Sequence, residues 1–99
     1  MLMIRHMVVF KWKPEATEDQ KQQVAVALRK LAPTIPAIRA YACGPDAGIT
    51  EGNFDFAVSA DFDDEAGYIS YRDNPDHRAI ITERILPIAA QRAAVQYEI

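Results

Sequence analysis

Residues 2 to 12 alternate at a period of two. Leu2, Ile4, His6, Val8, Phe10 and Trp12 fall on one side of an extended chain, and Met3, Arg5, Met7, Val9 and Lys11 on the other. A strand that is apolar along one face must have that face covered, so the rest of the chain has to supply a layer to lie across it. Phe54, Phe56, Val58, Ala60 and Phe62 repeat the pattern, alternating with Asp55, Ala57, Ser59 and Asp61. Two strands of this kind in 99 residues predict one sheet and one core, a single domain spanning 1–99.

The covering layer is helical. Pro14 closes the first strand, and Thr17 with Gln20 has the capping-box spacing. Val24, Ala27, Leu28 and Leu31 then form an apolar stripe that Pro33 and Pro36 end. A second strand is expected from about Ala37 to Cys43, followed by a loop marked by Gly44-Pro45-Asp46, Gly48 and Gly52. After the Phe54–Phe62 strand, Asp63 is expected to cap a short helix carrying Tyr68, Ile69 and Tyr71, with Asp64 and Glu65 in its first turn.

Asn74-Pro75 starts a further helix with Ile80, Ile81, Ile85 and Leu86, which Pro87 ends or kinks. Ala93, Val95, Tyr97 and Ile99 alternate in a closing strand. The order β-α-β-β-α-β, with the second helical region split, predicts an α+β, ferredoxin-like sandwich. The His6 face should meet the helices. Met7, Val9 and Ala57, with Tyr41 or Cys43 beside them, should then form a half-apolar opposite face, which predicts a homodimer joined sheet to sheet.

Charge and composition narrow the function. The net charge is −3 with acidic and basic residues interspersed, so no basic stripe is available for nucleic acid. No apolar run approaches the roughly 20 residues that cross a bilayer, and the opening Met-Leu-Met-Ile-Arg-His has no leader pattern, which makes the cytoplasm the expected location. Cys43 stands alone, so neither an internal disulfide nor a thiolate-rich zinc site is expected. His6, His77 and Asp76 lack close ligand spacing, so no metal is expected either.

Three segments carry a resemblance: Ile4-Arg5-His6-Met7-Val8-Val9-Phe10-Lys11, Phe54-Asp55-Phe56 leading to Phe62-Asp63, and Tyr71-x-x-x-Pro75-x-His77. Over nearly its whole length the chain resembles the stress-responsive α/β-barrel (Dabb) family. That resemblance implies a dimer whose two sheets form an α/β barrel. The family includes stress-associated proteins without an assigned reaction and a plant polyketide cyclase that forms olivetolic acid. The cyclase pattern matches His6, Tyr71 and His77, while Leu28 stands where that pattern has a further tyrosine.

The residues allow a chemistry of their own. His77 sits at the third position of an exposed helix start, near unpaired N–H groups that oppose its protonation. With a reference pKa of about 6.5, a neutral imidazole can take a proton from a carbon beside a carbonyl. Tyr71 would donate a hydrogen bond to the carbonyl oxygen, and His6 would orient the ligand or His77. Phe10, Leu28, Phe54, Phe56, Ile80 and Ile81, with Tyr68, are the expected lining for a small apolar carbonyl ligand.

No cofactor is needed for such a cyclase or isomerase. The alternative is a non-catalytic stress-associated binding or assembly protein. A third reading, suggested by Trp12 with an Asn and a histidine, is a haem-binding or aromatic-oxidising monooxygenase-like protein.

Overall fold

Alternation along the two apolar strands becomes register in the sheet. In the computed structural model, which describes residues 2–99, β1 (Ile4–Trp12) pairs antiparallel with β3 (Phe56–Phe62), setting His6 opposite Ala60, Val8 opposite Val58 and Phe10 opposite Phe56. β2 (Ile38–Pro45) adds to the far side of β3 and β4 (Ala89–Glu98) to the far side of β1. The result is one antiparallel sheet of order β2-β3-β1-β4. With its helices on one face this is the expected α+β, ferredoxin-like fold.

α1 (Glu18–Leu31) begins at the expected box: Thr17 Oγ1 accepts from Gln20 N at 3.1 Å, and Gln20 Oε1 accepts from Thr17 N at 2.9 Å. It buries Val24, Ala25, Leu28 and Leu31 against the sheet, with Ala27 at the edge of that stripe only half-buried. A short 3-10 turn, Ala32–Thr34, follows, as a helix running into proline requires. α2 (Glu65–Asp73) is capped by Asp64, which accepts from Gly67 N at 2.8 Å, rather than by Asp63. Asp63 is instead ion-paired with Arg39 at 2.9 Å.

α3 (Pro75–Ile80) starts at Asn74 as expected and runs into a π turn, Ile81–Ile85, closed by Leu86 N donating to Ile81 O at 2.9 Å. Such wide turns recur at functional sites. No helix among the described residues is long and apolar enough to cross a membrane.

Three expectations about β2 and β4 need correction. Gly44 and Pro45 belong to β2, paired with Ala57 and Phe56, rather than to a loop. Tyr41 and Cys43 lie on the helix side, opposite Ala60 and Val58, because a register shift between Ile38 and Ala40 inserts one residue and turns the following side chains over. β4 begins at Ala89, four residues before the alternation becomes legible. Its first four residues, Ala89-Ala90-Gln91-Arg92, are exposed or half-buried and carry no two-faced pattern; pairing with β1 holds them in place.

Fully buried Phe62, Leu28 and Val24 anchor the interior. Phe62 meets Tyr68 and Tyr71 at 5.8 and 5.3 Å between ring centroids, so it joins the sheet to α2. Phe62→Ala should cost about 3–5 kcal/mol, read as a lower urea midpoint with an unchanged slope.

Candidate functional site

His6 and His77 reach the same place from opposite layers. His6 projects from β1 toward the helices, and His77 from the first turn of α3 toward the sheet. Both border one cleft of about 210 Å³. Val8, Phe10, Val58, Leu28, Ile81 and Ile85 form its apolar wall. Tyr68 and Tyr71 of α2 close one side. The Tyr71 ring lies 4.0 Å from that of His77 and 6.1 Å from that of His6, while Tyr68 is 5.0 Å from His6.

The local sequence sets the His77 ring. Asn74 Oδ1 accepts from Asp76 N at 2.9 Å and from His77 N at 3.1 Å, and Pro75 supplies the fixed φ of the first helical position. His77 Nδ1 is 3.2 Å from Arg72 O. A carbonyl only accepts, so Nδ1 carries the proton and the lone pair of the neutral ring is on Nε2. His77 is buried, not exposed as its helix-start position suggests, because α2 and the sheet close over it. Burial holds its pKa below the usual histidine range, and the positive charge of Arg78 adds to this against the Arg72 carbonyl.

His6 is pushed down to about 4, first by burial and then by the charges of Arg92 and His77. Its Nδ1 is 2.8 Å from Gln96 Nε2 on β4; with the amide donating, the ring proton sits on Nε2. Both imidazoles are therefore neutral at neutral pH.

Burial raises Tyr71 to about 12, so its hydroxyl stays protonated. The Tyr41 hydroxyl opposes that shift, while its own pKa is raised, first by burial. The Tyr41 Oη is buried without a hydrogen-bond partner.

Of the residues expected to line the cleft, Phe10, Leu28, Tyr68 and Ile81 do so with the two histidines and Tyr71. Phe54, Phe56 and Ile80 do not. Asp55 N donates to Phe10 O at 2.8 Å and Asp55 Oδ2 accepts from Trp12 N at 2.8 Å; the chain bends there and leaves Phe54 outside β3, near Lys11. Phe56 packs on Trp12 at 5.7 Å, and Ile80 fills the gap between the two halves of the core. Trp12 stacks on Phe10 at 5.8 Å and does not border the cleft.

Sequence reasoning missed Arg72, Arg78 and Arg92 at the cleft. Arg92 lies opposite Phe10 on the helix side of β4, a placement visible only once β4 is known to start before Ala93. Among the described residues no group of three or more His, Cys, Asp or Glu side chains is arranged to hold a metal ion.

A family model described as Stress responsive A/B Barrel Domain matches residues 4–99. The chain belongs to this Dabb family. No curated protein matches its sequence. A dimeric ferredoxin-like protein of unknown function from Thermobifida fusca is 47% identical, with a TM-score of 0.92 over 99% of this chain and 92% of that one. A Dabb protein of ferredoxin-like fold from Mesorhizobium loti is 27% identical, with a TM-score of 0.81 over 98% and 96%. The hydroxynitrile lyase of Passiflora edulis, 20% identical with a TM-score of 0.84 over 98% and 93%, shares the fold.

The depressed His6 pKa has a measurable consequence. The unfolded chain takes up the proton near pH 6.5 and the folded one only near 4, so this contribution is complete above pH 6.5 and is lost as pH falls toward 4. His77 acts in the same direction. Thermal unfolding of His6→Gln should lose part of this acid sensitivity, about 2 kcal/mol between those pH values after allowance for screening at the cleft mouth. A pH profile parallel to that of the parent would refute this account of the site.

Proposed function

We propose that this Dabb protein binds a small carbonyl compound in the His6–Tyr71–His77 cleft and moves a proton at the carbon beside the carbonyl, as a cofactor-independent isomerase, cyclase or lyase. The observation that carries this reading is the neutral His77 ring, its Nδ1–H committed to the Arg72 carbonyl and its Nε2 lone pair free, on the wall of a cleft that also has a protonated tyrosine. Nε2 takes the proton from the α-carbon, the bonding pair moves into the carbonyl, and the Tyr71 hydroxyl donates to the enolate oxygen. His6, held by Gln96, orients the ligand.

At about 210 Å³ the cleft is below the roughly 300–1,000 Å³ of pockets for drug-sized ligands, which favours a single ring or a short chain over an extended polyketide. The hydroxynitrile lyase of Passiflora edulis places lyase chemistry on the same fold.

Solvent deuterium exchange into 1-phenyl-1,3-butanedione, followed by proton NMR, tests the base. The parent should exceed the buffer rate, with a loss of about 100-fold or more in His77→Gln and of tens-fold or more in Tyr71→Phe. Exchange at the buffer rate in the parent, or unaltered exchange in His77→Gln, would leave a binding or assembly protein and remove the enzyme.

The assembly proposed is a homodimer through the open sheet face, the two sheets closing as a barrel. Met7, Val9 and Ala57 share that face with Val95 and Tyr97, which are 54% and 43% exposed. The Thermobifida fusca protein, at 47% identity, is dimeric. Val95→Glu places a charge where the protomer has nothing to clash with it, so light scattering should show a folded monomer in place of a dimer.

A further inference from the structure

The side chains at the mouth of the cleft are of one sign. Of the seven arginines in an acidic chain, Arg72, Arg78 and Arg92 border a space that no Asp or Glu borders. Arg72 is ion-paired with Asp73 at 2.8 Å, whereas Arg78 and Arg92 enter no ion pair among the described residues. They come from different elements, α3 and β4, and both line the cleft. Two exposed guanidiniums at the mouth of an apolar pocket suit a ligand with an apolar body and an anionic end, because the planar guanidinium fork matches a carboxylate and is only weakly hydrated.

We propose that the natural ligand is a small oxo acid whose carboxylate is held at the mouth by Arg78 and Arg92 while its carbonyl reaches inward to Tyr71 and His77. This rests on the proton-transfer reading above and narrows its substrate class. The same cations serve the chemistry: they stabilise the negative charge that develops on the enolate, and they help keep both imidazoles unprotonated. Anchoring the acid end also spends remote binding on orientation of the reacting carbon.

The experiment compares 3-benzoylpropionate with its methyl ester, which differ in charge but share ring, carbonyl and the hydrogens beside it. Binding is measured by calorimetry at low salt and located by the His6 and His77 imidazole signals in NMR. 3-Benzoylpropionate should bind at least tenfold more tightly than the ester and shift both imidazoles. Arg78→Gln and Arg92→Gln should each reduce that preference and together abolish it, with ester affinity and thermal midpoint unchanged, since both side chains are exposed.

Equal binding of acid and ester, or a preference surviving in the double variant, would overturn the carboxylate assignment and leave the proton-transfer reading intact. Failure of both probes to shift either imidazole would overturn both readings. Tighter binding of phenyl phosphate than of 3-benzoylpropionate would assign the site to phosphoryl compounds and overturn the oxo acid.

Discussion

Antiparallel pairing of β1 with β3 is the interaction on which the remaining structure depends. It brings Val8, Phe10, Phe56, Val58, Ala60 and Phe62 onto one surface. That apolar surface cannot be left in water, and its burial holds α1, α2 and α3 in place. Each helix then brings something to the cleft: Leu28 from α1, the two tyrosines from α2, and His77 from α3. His6 is the one polar residue in the helix-facing row of β1, and it is tolerated there because Gln96 satisfies its ring.

The site combines features that reinforce one another. Burial makes the histidines neutral and the tyrosine protonated, and nearby arginines push the histidines further in the same direction. Such a place is unfavourable for an imidazolium and favourable for developing negative charge, the polarity that enolate chemistry needs. The Asn74 cap and the Arg72 carbonyl hold the His77 ring in one orientation and one tautomer, the preorganisation that the proposed proton transfer calls for.

Much of this was legible in the chain. Alternation located β1 and β3, the Thr17–Gln20 pair located the start of α1, and Asn74-Pro75 located that of α3. In each case the signal is local chemistry that acts within a few residues. Reading failed where local rules leave several answers open. Asp63 and Asp64 can each cap a helix; Arg39 draws the first into an ion pair and leaves the second to the α2 backbone. Tyr41 and Cys43 changed face through one extra residue in β2, and Phe54 was lost from its strand through the bend at Asp55.

The sequence by itself determined the strand and helix pattern, the apolar face of the sheet and the chemistry carried at positions 6, 71 and 77, because periodicity and capping are properties of neighbouring residues. Only the tertiary structure decided that these three side chains share a hollow, that Gln96 meets His6 from ninety positions away, and that Arg78 and Arg92 line the same cleft. Those relations follow from strand register and from how the helices cross the sheet. Both are settled by the packing of the whole core, not by any single segment.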